Sequence, residues 1–163
     1  MSENSYKKML SFMESHKPLK KVVILIGKIV TVSVYVFYPL FLIYLYLISY
    51  KEIAKIILIP LVSFIILSIV RYLLNLPRPY EKYDIKPLYN KKTKGKSCPS
   101  RHTFSAFIIS FCIMYVSLPL GIILIVLSIL LAISRVLCGI HFIRDILWGF
   151  ISALLAAIFL IIL

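Results

Sequence analysis

Long apolar runs separated by short polar breaks set the plan of this chain. Residues 22–50 are apolar over 29 positions except for Lys28. At about 1.5 Å per residue this is enough for one tilted membrane crossing and too short for two, and Pro39 is expected to kink it. Residues 51–55 form a short polar hairpin, and residues 56–76 make a second crossing with Arg71 in its last turns. Residues 77–99 are the one long polar connection. Residues 103–133 then run for 31 positions without a charge. Pro119 and Gly121 punctuate that run, which therefore reads as two crossings, about 102–118 and 120–138, joined by a tight turn. Residues 146–163 supply a final uncharged crossing of 18 residues. The pattern predicts an all-α fold, a polytopic membrane helical bundle of about five transmembrane helices. Residues 1–21 form a polar, interfacial amino-terminal segment with a short amphipathic helix around residues 6–13, and residues 22–163 form the transmembrane domain.

Composition strengthens this picture. The 163 residues are 61% hydrophobic with a mean hydropathy of +0.99, so lipid must be the solvent for most of the surface. The net charge of +13 is concentrated at the amino end (Lys7, Lys8, Lys17, Lys20, Lys21) and between Arg71 and Arg101, including Lys82, Lys86, Lys91, Lys92, Lys94 and Lys96. Basic clusters beside a membrane attract anionic headgroups or phosphorylated ligands at about 1 kcal/mol per charge. Nucleic acid is a poor partner for a loop tied to a membrane-embedded chain. Cys98, Cys112 and Cys138 lack metal-ligand spacing, and the latter two read as small core residues. Residues 1–21 lack the apolar run of a cleavable signal peptide. Tyr35, Tyr38, Tyr44, Tyr46 and Tyr50 read as lipid-facing or belt residues.

Against this hydrocarbon background, a few polar residues stand out. From His102 to Leu163 the ionisable side chains other than Tyr and Cys are His102, Arg135, His141, Arg144 and Asp145. An ion near the centre of a membrane helix costs about 2.5–3.5 kcal/mol on insertion scales. Three polar islands result: Arg71 to Pro79, Pro99 to His102, and Ser134 to Asp145. The first two islands end the second crossing and begin the third, and one helical hairpin separates the second island from the third, so all three lie on the same membrane face. Taken singly, Arg71 is commonly a snorkelling arginine and Pro-Ser a helix cap. His141 and Asp145 are i,i+4 partners, so the carboxylate can fix one imidazole nitrogen and leave the other as nucleophile or base. A purely structural His–Asp pair is the plainer alternative. Together the islands supply two histidines, several arginines and a hydroxyl. Arginine forks match phosphate oxygens, one histidine can attack phosphorus and the other can protonate the leaving oxygen. One carboxylate and two histidines are too few to cage magnesium or a metal pair, so the inventory suggests metal-free phosphoryl transfer through a phosphohistidine, with no cofactor.

Arg71-x6-Arg78-Pro79, Pro99-Ser100-Arg101-His102 and Ser134-Arg135-x5-His141-x3-Asp145 resemble, in order, the three motifs of the type 2 phosphatidic acid phosphatase superfamily. The resemblance implies that His141 is the nucleophile, Asp145 its orienting partner and His102 the general acid. It also implies that Arg71, Arg78, Ser100 and Arg135 hold the phosphate oxygens, helped by backbone amides near residues 100–102. Two positions depart from the family pattern: Arg71 stands for the usual opening lysine, and Arg101 for the usual glycine between serine and histidine. Arg101 is counted here as a further phosphate contact, and Arg144 lies outside the motif.

The expected function is removal of a terminal phosphate from a membrane-anchored substrate, such as a phospholipid, phosphatidylglycerol phosphate or an isoprenoid diphosphate like undecaprenyl diphosphate. The rival from another class is a non-catalytic membrane protein that binds anionic lipid through its basic loop. Vanadate-dependent oxidation at the same residues fits a deeply embedded chain poorly. The lysines flanking the islands outnumber Lys51 and Lys55 on the opposite side, which by the positive-inside rule puts the site in the cytoplasm. The resemblance implies the reverse, an extracytoplasmic site in a multi-pass cell-membrane protein, and that is the expectation adopted. No oligomeric state follows from the sequence.

Overall fold

The computed structural model of the chain describes residues 2–89, 91 and 93–163. Lys92, counted above in the loop charge, lies outside the described residues. Seven helices run α1 (Glu3–Ser15), α2 (Lys17–Leu47), α3 (Ile53–Leu74), α4 (Pro79–Lys82), α5 (Arg101–Val116), α6 (Leu118–Leu137) and α7 (Ile143–Ile162), with no strand among the described residues.

Local signals explain most of the boundaries. Ser2 caps α1 by accepting from the Ser5 amide, and Glu3 stands in the first turn, where the helix dipole favours a carboxylate. Asn75 ends α3 in the left-handed conformation, a role its short polar side chain tolerates. Ser100 caps α5. One residue, Ser117, separates α5 from α6, so the turn is tighter than the expected break around 119. Pro119 lies inside the first turn of α6, where its missing amide hydrogen costs nothing. The α2 helix starts five residues before the apolar run because Lys17, Lys20 and Lys21 are good helix formers. Lys20 also holds Glu14 of α1 at 2.6 Å. Pro39 sits inside α2, which continues through it to Leu47.

Four helices, α2, α3, α6 and α7, are long and apolar enough to cross a membrane. The fifth expected crossing, α5, has 16 residues, about 24 Å of helix. It can be short because it is the centre of the bundle. It packs against α2, α3, α6 and α7, and its Phe104, Ala106, Phe107, Ile108, Cys112 and Ile113 are all buried. The other four present large apolar side chains outward, among them Leu40, Tyr46, Leu73, Leu147 and Ile161, as lipid-facing helices must. Tyr35, Tyr44 and Tyr46 join that outer surface as expected. Tyr38 departs from it: its hydroxyl donates to the Ile56 carbonyl and ties α2 to the start of α3.

Successive crossings alternate in direction. The carboxyl ends of α3 and α6 and the amino ends of α5 and α7 therefore share one end of the bundle. The amino-terminal helix folds back onto that end. Its Tyr6, Leu10 and Met13 recur at i, i+4 and i+7 and are buried. Tyr6 and Leu10 join Ile85 and Phe142 in one cluster, and Met13 joins Val23, Cys138 and Ile140 in another.

Candidate active site

The turn between α6 and α7 carries His141, and the first turn of α7 carries Asp145. Asp145 is the third residue of α7, where its Oδ2 accepts the Phe142 amide at 3.0 Å and caps the helix. The same oxygen faces His141 Nδ1 at 3.4 Å and accepts the Ser97 hydroxyl, which itself lies 3.5 Å from Nδ1. Asp145 Oδ1 makes no hydrogen bond, and the Arg144 Nε stands 3.6 Å from it. Arg144 is otherwise exposed and lies over the Phe142 ring. Burial of His141, at 1% exposure, pushes its imidazole down to about 4 against the pull of Asp145. Its neutral form therefore donates from Nδ1 and keeps a lone pair on Nε2. From below, the Tyr6 hydroxyl donates to the His141 carbonyl at 3.2 Å.

The α7 turn is also tied to α5. The Ser100 amide donates to the Asp145 carbonyl at 2.9 Å. Close approach is required here, since a Cβ on Gly149 would meet the Ser100 carbonyl at 2.8 Å and the Thr103 Cβ at 3.2 Å. The Ser100 hydroxyl, expected to hold phosphate, accepts from the Thr103 amide at 3.5 Å and stands 3.1 Å from the Thr103 hydroxyl. It is buried as a helix cap.

The arginines surround this core. Arg71 Nη1 donates to the carbonyls of Ser97 and Pro99, at 3.1 and 2.6 Å, and so clamps the loop that carries Ser97. Arg78 Nε donates to the Gly95 carbonyl at 3.2 Å. Glu81 staples the two ends of that loop by accepting the Arg78 amide at 2.8 Å and the Gly95 amide at 2.8 and 2.9 Å. Arg135 Nη2 donates to Thr31 of α2 at 2.8 Å, and its guanidinium lies near the Tyr89 ring. Each of the three keeps one buried nitrogen without a hydrogen-bond partner: Arg71 Nε, Arg78 Nη1 and Arg135 Nε. Unsatisfied buried donors on charged groups are costly, so each of these nitrogens is available to an anionic oxygen.

A polar cavity of about 420 Å³ opens beside them, lined by Arg71, Arg78, Lys91, Arg101 and His102 among others. His102 thus lines the cavity, and the buried His141 does not. Arg101 is exposed at the mouth, its guanidinium 6.0 Å from the Phe64 ring centroid. Among the described residues, no group of three His, Cys, Asp or Glu stands together in a way that could hold a metal ion. A second, apolar groove of about 340 Å³ lies between α2, α3 and α5, lined by Tyr38, Pro39, Pro60, Phe64 and Phe104 among others. Phe64, on its wall, is the ring beneath Arg101.

The three islands read from the sequence do meet at one end of the bundle. Ser97, Thr31, Tyr6 and Glu81 were not anticipated, and Lys91 was foreseen only as one of a basic cluster. Glu81 carried a signal, three residues after Arg78 as in a capping box. Ser97 and Thr31 carried none, since isolated hydroxyls in loops and helices are common. Tyr6 reaches the site only because α1 folds back. Gly95 holds the loop with φ +61, and a Cβ there would stand 2.3 Å from Asn75 Oδ1. Gly95→Ala is expected to cost about 1–2 kcal/mol through the left-handed backbone alone. A lower thermal midpoint in detergent, with weakened substrate binding, checks it.

A buried histidine held by a carboxylate and guanidinium nitrogens without partners thus stand together at one end of a helical membrane bundle. The family model described as the PAP2 superfamily matches residues 52–163. The chain belongs to the PAP2 superfamily and is a phosphatase of that family. No curated protein matches it by sequence. Among solved structures, LpxE from Aquifex aeolicus is similar at a TM-score of 0.77 and 22% identity, over 98% of this chain and 94% of that one. A transmembrane PAP2 type phosphatidylglycerolphosphate phosphatase from Bacillus subtilis is similar at 0.56 and 21%, over 98% and 74%. At such identities these likenesses speak to the fold.

Proposed function

We propose that the chain is a lipid phosphatase that removes a terminal phosphate from a phospholipid or isoprenoid diphosphate, through a phosphohistidine and without metal. The observation that carries this reading is the set of orphaned guanidinium nitrogens of Arg71, Arg78 and Arg135 at the end of the bundle that also holds the neutral, carboxylate-held His141. The arginines and the amides at the start of α5 hold the phosphate oxygens. His141 Nε2 attacks phosphorus, the P–O bond to the lipid breaks, and His102 at the cavity wall protonates the leaving oxygen. Water then takes the phosphoryl group from His141. Asp145 and Ser97 keep the imidazole in the required tautomer. The neighbouring apolar groove supports a lipid substrate, because an acyl or prenyl chain lying against Phe64 and Phe104 would bring its headgroup to Arg101 and His102. The two similar solved proteins, one of them named as a phosphatidylglycerolphosphate phosphatase, support the same class.

Phosphate release from a panel of detergent-solubilised lipids, with EDTA present, tests the reading. Release is expected to persist in EDTA, and vanadate, which mimics the pentacoordinate phosphoryl group, is expected to inhibit. Activity abolished by EDTA and restored by magnesium would contradict the metal-free route. The site is assigned to the extracytoplasmic face. A tag in the loop around residue 92 should label in intact cells, and labelling only after permeabilisation would reverse the assignment.

A further inference from the structure

The cavity at the head of the site holds more positive charge than one phosphate can neutralise. Arg71, Arg78, Lys91, Lys94, Lys96 and Arg101 line it, and no carboxylate does. A terminal phosphate carries about two negative charges, and uncompensated cations crowded into one concavity repel each other. Some of the six are otherwise engaged. Arg71 and Arg78 each donate to backbone carbonyls, and the Lys96 ammonium lies 4.3 Å from the Tyr72 ring centroid. Among the described residues none of the six pairs with a carboxylate. Lys91 and Arg101 stand out by position: Lys91 is half-buried in the cavity wall, and Arg101 stands at the mouth next to His102 with the Phe64 ring 6.0 Å away.

Lys91 is placed there by its neighbours rather than by chance. The Leu88 amide donates to the Cys138 carbonyl at 3.1 Å, and the Tyr89 hydroxyl donates to the Ile24 carbonyl of α2 at 3.0 Å. These bonds pin the loop against the α6–α7 turn and against α2. Burial, with Arg78, Arg135, Arg71 and Arg101 facing it, pushes the Lys91 ammonium down to about 8. A solvated loop lysine would escape such company; this one is held in it. Arg101 belongs to the first turn of α5, whose amino end adds a favourable field for anions.

We propose that Lys91 and Arg101 form an outer phosphate subsite, which holds the second phosphate of a diphosphate-type substrate while the terminal phosphate is transferred. The inference rests on the phosphatase reading above and names its preferred substrate class. In this arrangement the bridging P–O bond breaks with its electron pair on the leaving phosphate, and a P–N bond forms at His141. Water then forms a new P–O bond as the P–N bond breaks. The product keeps one phosphate on the lipid, and its charge develops beside Lys91, Arg101 and His102. A substrate with a single phosphate leaves these two cations unmatched.

The test uses the full-length enzyme in detergent with two substrates of identical tail, farnesyl diphosphate and farnesyl monophosphate. The wild type is expected to favour the diphosphate in kcat/KM by about tenfold or more, as charge-assisted contacts to a second phosphate should. Lys91→Gln is expected to lower kcat/KM for the diphosphate about tenfold and for the monophosphate less than about threefold. Lys91→Arg should recover most of the preference. The monophosphate rate serves as the check that the variant is folded. Equal use of both substrates by the wild type, or a proportional fall on both in Lys91→Gln, would remove the subsite and leave the phosphatase reading standing. Failure to release phosphate from either substrate would overturn both.

Discussion

Replacing His141 with alanine is expected to lower kcat for phosphate release by about 10⁴-fold or more, leaving the helical bundle intact. The magnitude follows from removing the nucleophile of a covalent route, since what remains is positioning and charge stabilisation alone. Burial at 1% exposure also makes the residue part of the packing, so some loss of thermal stability accompanies the change; alanine leaves a cavity and strips Asp145 and Ser97 of a partner. A rate loss far beyond the stability loss separates nucleophile from scaffold. A protein that only binds anionic lipid through its basic loop would keep its function in this variant. The pH profile carries the same signature. His141 titrates near 4 in the folded chain, below its ordinary value of about 6.5. Activity is therefore expected to hold as pH falls through 6.5 and to drop only as the imidazole protonates near 4. Stability follows the same direction. The unfolded chain takes up the proton first, so the contribution of the neutral residue is lost as pH falls between about 6.5 and 4.

Asp145→Asn is expected to lower kcat about 10³-fold with little change in fold. The amide oxygen can still accept from Phe142 and Ser97, so the cap on α7 survives. Oδ2 makes all three contacts, so the amide oxygen that keeps the Phe142 and Ser97 bonds also faces His141 Nδ1, and the imidazole keeps its tautomer. What is lost is the negative charge beside an imidazole that must carry positive charge once Nε2 bonds phosphorus. Removing the carboxylate of a hydrolase triad costs about 10⁴-fold, and the long 3.4 Å contact here argues for somewhat less. Far-ultraviolet circular dichroism and the detergent thermal midpoint give the fold; single-turnover phosphate release gives the rate. If the pair were structural alone, the variant would lose stability and keep its rate.

Much of this site could be read before any coordinates, because ions are rare in an apolar chain. Arg71, His102, Arg135, His141 and Asp145 announced themselves by their cost in lipid, Arg78 by its spacing from Arg71, and helix alternation was enough to bring them to one end. The central position of α5 was not legible, since beyond His102 the helix carries no charge and shows no preferred apolar face from which to read its neighbours. Its short length follows from that position. The fold-back of α1 also escaped: a polar amphipathic segment reads equally well as lying on a membrane or on a protein, and only the pocket around Tyr6 decides. Ser97 and Thr31 were invisible because a hydroxyl is cheap almost anywhere. The Ser100 hydroxyl caps α5 and its backbone amide ties the helix to Asp145, two structural duties that the motif alone does not display.

The central claim is that phosphorus passes through His141. Rapid quenching into alkali during turnover of a lipid substrate labelled with ³²P in its terminal phosphate, followed by peptide mapping, tests it most directly. An acid-labile, alkali-stable label on the peptide containing His141, absent from the His141→Ala protein, is the predicted result. Turnover without any enzyme-bound label, or a label on a different residue, would contradict it.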